Sequence, residues 1–530
     1  MKRTLALILM MMLAFTAVGF AANEPIDLPI GDYETDKLTV AVYDNYYAAA
    51  SYADPLPVLE WIEERTGIQI EWDVIVPSQY DEIMRVRLAA GEDLPDIVQI
   101  PNSYSNKGEV YTLAMAGTII PIDDLIREHA PNLAKLIWED MPELGKAFTA
   151  PDGHIYHIAQ NFDGGNKVEV KGLILRTDWL EALDLEMPET IDDWYNVLKA
   201  FATQDPNGNG INDEIAISAC GSSGISEYGY LATAFGIDAP ATKYIDKDGV
   251  AVCQYDDPGF KEFLMFLNKL YSEGIMDPQF TTGDEAKLDA MAAMDVLGCS
   301  AHYGAKAELW SGTAALAENP NSASAEYHLV LSPADENGEI RMQGRALTGF
   351  CYGITKDCKN PELAIKWLDY IYGSDEGRDV MLYGLEDLTY TYDENGNKVW
   401  TDYIGKNPDG LSIGTALRSV GAFPAQFTNR TVDFYRMMIG ESIYQEGLVL
   451  QDYIVPCFPH VMGTEEQLDR IASLTADINT YESEMIQKFI MGQESFDNWD
   501  SFRETVRAMG GDELTAIYQE QLDTYYGTNA

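Results

Sequence analysis

Strand-like and helix-like segments alternate through the first hundred residues, and this alternation restricts the folds that the chain can adopt. Residues 38–43 and 68–74 have the apolar or alternating pattern of strands, and residues 95–100 add a third. Residues 56–66 and 78–90 have helical patterns, and each is followed by a glycine stop signal, Gly67 and Gly91. Strand, helix, strand and helix in succession predict an α/β fold with a mainly parallel, helix-covered sheet.

The N-terminus has the pattern of an export signal. Lys2 and Arg3 precede an apolar stretch at residues 5–20, and small residues favour cleavage after Ala21, so residues 1–21 are predicted to be a signal peptide. No later run approaches 18 apolar residues, and no membrane span is expected. Because no lipobox cysteine lies near the cleavage point, the mature chain is expected in the periplasm or at the cell surface without a lipid anchor.

Size and charge limit the architecture and the partners. A chain of 530 residues exceeds what one hydrophobic core usually supports, so at least two lobes are expected. The formal net charge of −51 disfavours nucleic acid and anionic lipid. It favours neutral or cationic ligands unless a local basic pocket offsets the field. The six cysteines are dispersed, so disulfides and free thiols are both open.

One loop has the spacing of a calcium site. In DPNGNGINDE at residues 205–214, oxygen-bearing side chains occupy loop positions 1, 3, 5 and 9, and glycine occupies position 6. Position 12 is Ala216 instead of a bidentate glutamate, so Glu214 has to complete the shell. The alternative is a solvated Asn/Gly turn. The predicted ligands of a structural Ca²⁺ are Asp205, Asn207, Asn209, Ile211 through its carbonyl, Asp213 and Glu214.

An amphipathic helix leads directly into this loop. Thr190 followed by Asp193 has the pattern of a helix N-cap, and apolar residues recur at helical spacing as far as Phe201. Residues 215–218 resume as a buried strand. The metal would therefore connect the end of a helix to a sheet.

Several segments, in order, resemble the family 1 extracellular solute-binding proteins, which are the receptors of sugar-type ABC importers. They are LAAGEDLPDIV at 88–98, DGHIYHI at 152–158, LRTDWL at 175–180, MPETIDDW at 187–194 and YGLEDLTY at 383–390. The loop at 205–214 is similar to that of the large calcium-containing subgroup, which includes alginate-oligosaccharide receptors. The sequence departs from the pattern in lacking the lipobox cysteine and in having Asp387 where relatives often have glycine.

The resemblance implies a two-lobed periplasmic-binding-protein-like fold (type II), in which each lobe has a helix-covered, mainly parallel sheet and three crossovers lie near residues 160, 335 and 385. The N-terminal lobe would comprise residues 22–160 and 336–385, and the C-terminal lobe residues 161–335 and 386–530. A monomer would capture a small molecule, expected to be an oligosaccharide, between its lobes. It would then deliver the ligand to the transmembrane permease subunits of an ABC importer.

A sugar cleft combines aromatic rings, which stack on CH faces, with planar polar groups, which bond hydroxyls. The candidates lie at predicted strand ends and crossovers. Most aromatic side chains of a protein nevertheless pack in its cores. Arg176 and Asp178 can equally be a structural pair. The predicted ligand-binding residues are Tyr46, Asn102, Trp179, His302, Tyr303, Trp310, Arg345, Glu386 and Tyr390.

Catalytic signatures are few in this sequence. It contains no H-E-x-x-H, G-x-S-x-G or phosphate-loop motif, so a binding protein is predicted rather than an enzyme. A secreted, calcium-stabilised glycoside hydrolase is the main alternative, because its two carboxylates have no local signature. A surface lectin or signalling receptor on the same fold is a third possibility.

Overall fold

The structure is a computed structural model, and it describes most of the chain after the first 25 residues. The described residues are 26–44, 50–101, 108–162, 171–220, 225, 227–237, 243–314, 322, 325–344, 348–409, 411–424, 428–455, 458–459 and 461–527. Within these ranges, no helix combines the length and the apolarity needed to cross a bilayer. The five described cysteines are free thiols, and Cys457 lies outside the described residues.

A six-stranded sheet forms the centre of the first lobe, in the order β14-β4-β11-β3-β1-β2. Its strands are β1 (Lys37–Tyr43), β2 (Gln69–Ile75), β3 (Ile97–Gln99), β4 (Ile158–Phe162), β11 (Thr348–Ile354) and β14 (Asn429–Arg430). β1 pairs in parallel with β2 and β3, β14 pairs in parallel with β4, and β11 runs antiparallel to β3 and β4. The predicted alternation of strands and helices is confirmed here.

Helices cover this sheet, and left-handed glycines end two of them as predicted. Gly67 and Gly91 have φ of 70° and 65°, a conformation that glycine adopts at little cost. The first-lobe helices are Pro57–Thr66, Pro77–Ala90, Gly108–Met115, Asp123–His129, Pro131–Lys135, Pro142–Phe148, Pro361–Leu368, Asp375–Tyr383, Asp402–Gly405 and Ile413–Arg418, with π-helical turns at Leu136–Asp140 and Asp369–Gly373.

The second lobe contains a three-stranded sheet in the order β8-β5-β9. The strands are β5 (Lys171–Arg176), β8 (Cys299–Tyr303) and β9 (Tyr327–Val330), and both pairs are antiparallel. The expectation of a mainly parallel sheet in each lobe therefore does not hold for these strands. Among the described residues of this lobe, isolated parallel bridges join Ile215 with Leu297, Ile217 with Met276 and Thr190 with Ala334. The segment predicted as a strand at 215–218 pairs too briefly to extend the sheet.

The remaining elements of the second lobe are mostly helical. The helices are Thr177–Ala182, Ile191–Thr203, Gly229–Ala232, Pro258–Ser272, Glu285–Ala293, Ala305–Ala314, Glu441–Gln451, Trp499–Ala508 and Gly511–Tyr526, with 3₁₀ turns at Thr233–Phe235, Gln254–Asp256 and Phe496–Asn498. Three two-stranded pairings complete the strands, namely β6 (Tyr244–Lys247) with β7 (Val250–Cys253), β10 (Met342–Gln343) with β15 (Ile454–Val455), and, in the first lobe, β12 (Tyr390–Tyr392) with β13 (Lys398–Trp400).

Two hydrophobic cores define the lobes. The first contains buried residues from 38–159, 351–383 and 404–434, and the second contains buried residues from 173–330, 435–450 and 474–514. The helix Val432–Ile439 passes between them, since Phe434 lies in the first core and Tyr435 in the second.

The third crossover is therefore near residue 432, and the prediction near 385 is wrong. After 385 the hairpin β12–β13 folds back onto the helix Asp375–Tyr383, where Tyr390 and Trp400 each lie 6.1 Å from the Tyr383 ring, centroid to centroid. This aromatic packing keeps the chain in the first lobe for about fifty further residues.

The helix Glu465–Ile490 contacts both lobes. Leu468 packs against the first core, whereas Leu474 belongs to the second. A capping box formed by Thr464 and Gln467 fixes its start. The C-terminal helical region thus lies along both lobes rather than on the second alone.

Candidate ligand cleft and metal loop

The chain passes between the lobes at one side of each sheet, the side along which the strands begin or terminate. In the first sheet this edge holds the carboxyl ends of β1, β3, β4 and β14, and in the second it holds the start of β5 and the ends of β8 and β9. The link from Phe162 to Lys171 is short enough to span at most about 30 Å. We call these the crossover edges. They border the space between the lobes, which is where ligands bind in open α/β folds.

An ion pair and an aromatic ring lie together on the second crossover edge. Lys171 Nζ donates to Glu227 Oε1 at 3.0 Å and lies 5.7 Å from the centroid of the Tyr303 ring. Lys171 and Tyr303 are direct partners in the β5–β8 ladder, which fixes their proximity. Tyr303 was predicted from the sequence. Lys171 and Glu227 were missed, because 56 residues separate them and no local motif marks the pair.

Further charges near this edge are also paired. Lys306, three residues after Tyr303, contacts Glu285 Oε1 at 2.7 Å and Asp289 Oδ1 at 2.8 Å. Together with Lys171 and Glu227, this cluster has three carboxylates and two ammonium groups. The edge therefore offers hydrogen-bond donors and acceptors with a small negative charge.

Aromatic rings also lie at the first crossover edge, on β1 and β11. The ring centroid of Tyr43, the last residue of β1, lies 5.2 Å from that of Phe350, and both side chains are partly buried. The guanidinium of Arg430, on β14, lies 4.9 Å from the Phe423 ring. The guanidinium of Arg418, at the end of the helix Ile413–Arg418, lies 4.8 Å from the same ring. The single aromatic residue of β1 and the alternating Phe350 and Tyr352 of β11 could not be told from core residues in the sequence.

Two predicted ligand residues belong to the core instead. Trp179 is 1% exposed and packs edge-to-face on Phe201, with ring centroids 5.2 Å apart. Trp310 is fully buried, and its Nε1 donates to Asp289 Oδ1 at 2.8 Å. Neither ring has a face available to a sugar. The prediction is wrong for both because both rings are enclosed in the second hydrophobic core.

The other predicted residues differ in position. His302 is buried, and its Nδ1 accepts the Tyr303 amide at 2.9 Å, which agrees with a satisfied core histidine. Glu386 is exposed, and Tyr390 packs on Tyr383. Both Glu386 and Tyr390 lie within the first lobe rather than at the crossover where they were predicted to lie. Tyr46, Asn102 and Arg345 lie outside the described residues.

The loop at 205–214 winds tightly around its own side-chain oxygens. Asp205 Oδ1 and Asn207 Oδ1 accept the Asn209 amide at 3.1 and 3.0 Å, and Asp205 Oδ2 accepts the Gly210 amide at 3.0 Å. Asp205 itself has a φ of 49°, in the left-handed region. Oxygens from alternate residues are thus directed to one side, as cation loops require.

Glu214 supplies an unusual carboxylate to this loop. It is 6% exposed, and neither of its oxygens has a hydrogen-bond partner among the described residues. Burial raises the pKa of Glu214, the charges of Asp205 and Asp213 raise it further, and backbone amides oppose the shift. A carboxylate buried beside two others is usually compensated by hydrogen-bond donors or by a cation. The described residues contain no group of three or more His, Cys, Asp or Glu side chains placed to bind a metal, so amides and a carbonyl would have to contribute.

The loop is attached to the end of the second sheet that is remote from the crossover edge. Asn207 Nδ2 donates to the Asp295 carbonyl at 2.9 Å, and the Asp295 carboxylate accepts Arg176 at 2.6 Å. Arg176 also forms a bidentate pair with Asp178, so that pair is structural. Arg176 and Lys171 are opposite ends of β5, roughly 17 Å apart along the strand.

Known proteins resemble this chain over most of its length. The fructooligosaccharide ABC transporter substrate-binding protein FusA of Streptococcus pneumoniae is 29% identical over 497 residues, which is 88% of this chain and 87% of that protein. The polygalacturonan/rhamnogalacturonan-binding protein YtcQ of Bacillus subtilis is 21% identical over 466 residues, 87% of this chain and 86% of that protein.

Solved structures share the fold. The alginate-binding protein AlgQ2 without calcium ion has a TM-score of 0.75 at 24% identity, covering 93% of this chain and 99% of that one. FusA in complex with kestose has a TM-score of 0.74 at 24% identity, covering 93% and 100%. These likenesses confirm the predicted two-lobed α/β fold. The family model of the bacterial extracellular solute-binding proteins matches residues 44–378, and the chain therefore belongs to that family.

Proposed function

We propose that this protein is an extracytoplasmic receptor that captures an oligosaccharide between its lobes and delivers it to the permease of an ABC importer. The observation that carries the proposal is the composition of the crossover edges, where Tyr43 and Phe350 lie on one lobe and Tyr303 with the Lys171–Glu227 pair on the other. Rings that stack on CH faces beside charged hydrogen-bonding groups suit a sugar. The names of FusA, YtcQ and AlgQ2 point to the same ligand class.

Export is part of this proposal. Residues 1–21 act as a signal peptide, and the mature chain works outside the cytoplasm as a monomer. Lobe closure around the ligand presents both lobes to the two permease subunits at once.

Native mass spectrometry of the purified protein against a panel of neutral and acidic oligosaccharides tests the function. We expect a mass increment of one glycan per chain. No increment for any glycan would overturn the proposal. New reducing ends appearing during incubation would favour a glycoside hydrolase instead, and failure to bind its permease would favour a surface lectin.

We also propose that the loop at 205–214 binds a structural Ca²⁺. Asp205, Asn207, Asn209, the Ile211 carbonyl, Asp213 and Glu214 would hold it, and the ion would supply positive charge to the buried Glu214 carboxylate. The proposal is supported by the burial of the Glu214 carboxylate beside the charges of Asp205 and Asp213. Because the loop is linked through Asp295 to the Arg176 end of β5, which is remote from the crossover edge, the ion is expected to stabilise the second lobe without selecting the ligand.

Replacing Asp205 and Asp213 with Ala tests the metal proposal. We expect a lower melting temperature that no longer rises with added calcium, while ligand preference is unchanged. At an ion concentration 100 times the dissociation constant, the lost stabilisation is about 2.7 kcal/mol.

Asp393→Ala is the matched control for these substitutions. Asp393 accepts the amides of Asn395 and Asn397 at 2.8 Å in a similar Asp/Asn/Gly turn, and Asn395 and Asn397 are exposed. Its loss should leave the calcium response intact. Loss of ligand binding at unchanged stability in the loop variant would contradict a structural role.

A further inference from the structure

The second crossover edge presents a positive and a negative group side by side. Lys171 Nζ and Glu227 Oε1 are 3.0 Å apart, and the Tyr303 ring lies beside the ammonium group. Glu227 is mostly buried, whereas Lys171 is partly exposed. An ammonium has three donors, so Lys171 keeps further donors after bonding Glu227.

This arrangement fits a pair of adjacent hydroxyls. One hydroxyl oxygen can accept from Lys171 while its neighbour donates to the Glu227 carboxylate, and the ion pair need not separate. The hydrogen bonds are charge-assisted and therefore strong. The ring of Tyr303 can meanwhile pack on the CH face of the same sugar.

The same arrangement opposes a carboxylate on the ligand. Lys171 is already neutralised by Glu227, and Lys306 is neutralised by Glu285 and Asp289. The three carboxylates outnumber the two ammonium groups, within a chain whose net charge is −51. A uronate would thus meet like charge here. The side chain of Arg430 on the first lobe adds little exposed positive charge for a uronate, because Arg430 is 9% exposed and lies against the ring of Phe423.

We propose that Lys171, Glu227 and Tyr303 form a sugar-ring subsite that selects neutral oligosaccharides over acidic ones. The inference rests on the proposed receptor function and names its ligand class. Glu227 is the specificity-determining residue, because it removes the positive charge that would otherwise bind a uronate.

Isothermal titration calorimetry of the wild-type protein at fixed salt makes the first test. The probes are three neutral oligosaccharides, nystose, maltotriose and galactotriose, and one acidic one, trigalacturonate. We expect at least one neutral probe to bind about 100-fold more tightly than trigalacturonate, since like charges juxtaposed in a site cost several kcal/mol. This measurement requires no variant.

Two variants make the second test. Glu227→Gln keeps the side-chain size, and we expect it to weaken the neutral probe by about tenfold and to strengthen trigalacturonate, because Lys171 then carries an uncompensated charge. Lys171→Met should weaken the neutral probe by about tenfold without any gain for trigalacturonate. The opposite effects on the acidic probe are not expected of a merely structural pair.

Lys199→Met and Glu273→Gln are the matched controls. Lys199 Nζ and Glu273 Oε2 form a pair at 2.9 Å on the exposed side of two helices in the same lobe. These controls should bind every probe as the wild type does, and melting curves verify the folding of all variants.

The outcomes separate the two proposals. Trigalacturonate binding as tightly as every neutral probe, or wild-type affinities in both Glu227→Gln and Lys171→Met, would overturn the subsite and leave the receptor function standing. No binding of any saccharide by the wild type would overturn both.

Discussion

Gly298 lies where the segment that follows the loop at 205–214, two core rings and the start of β8 converge, and it has no room for a side chain. A Cβ built there would lie 2.8 Å from the Ala216 carbonyl oxygen, 2.8 Å from Phe201 Cδ2 and 3.0 Å from Trp179 Cζ3. Favourable contacts begin near about 3.5 Å, so all three atoms are too close. The carbonyl is backbone and cannot rotate away, and the rings belong to an edge-to-face pair.

Gly298→Ala should therefore destabilise the second lobe. Overpacking of a filled core costs about 1–3 kcal/mol, and separating the aromatic pair adds about 0.5–1.5 kcal/mol. The shift would also strain the hydrogen bond from the Gly298 amide to the Ile215 carbonyl at 2.9 Å. We expect a total loss of about 2–4 kcal/mol and a melting temperature lower by at least roughly 4 °C.

Gly312→Ala is the matched control, because Gly312 lies in the helix Ala305–Ala314 with nothing within 4 Å of a built Cβ. Alanine should there stabilise by about 0.5–1 kcal/mol. Calorimetry and guanidinium titration followed by tryptophan fluorescence measure both variants. A Gly298→Ala protein as stable as the wild type, or a Gly312→Ala protein equally destabilised, would refute the packing argument.

Three further predictions concern stability. Thr190→Ala should cost about 1 kcal/mol, because it removes the capping box with Asp193, and Thr190→Ser should retain most of it in urea titrations. Arg176→Ala should cost about 3–5 kcal/mol, because it removes the cation that pairs with the buried Asp295 and the partly buried Asp178; a melting temperature within 2 °C of wild type would contradict this. Burial raises the pKa of Asp369 to about 6, so the folded state holds the proton more tightly than the unfolded state. The folded state therefore loses stability as the pH rises from about 4, near the pKa of an unfolded Asp, to about 6. Asp369→Asn should consequently stabilise by about 3 kcal/mol at pH 7.5, with the gain shrinking towards pH 5, and a gain independent of pH would count against it.

Local patterns predicted the elements that depend on local chemistry. The Thr190–Asp193 cap, the helix stops at Gly67 and Gly91, and the strands β1, β2 and β3 of the first sheet match the structure. These elements can be predicted from the sequence because the capping hydrogen bonds and φ preferences that determine them involve residues only a few positions apart.

Long-range contacts could not be read in the same way. The crossover near residue 432 depends on β14 pairing with β4, a contact of two residue pairs across about half of the chain, and on the aromatic packing of Tyr390 on Tyr383. Lys171 and Glu227 meet only because β5 and the segment at 227 fold together. Trp179 and Trp310 were misassigned because sequence does not distinguish a ring in a core from a ring at its edge.

β5 joins two regions that evolution can change separately. Its Arg176 end is tied to the loop at 205–214, and its Lys171 end faces the space between the lobes. Substitutions separated by more than about 10 Å usually have additive effects. A lineage could therefore acquire a new ligand through changes at one end of the strand while the other end, and the thermal tolerance it provides, is inherited unaltered.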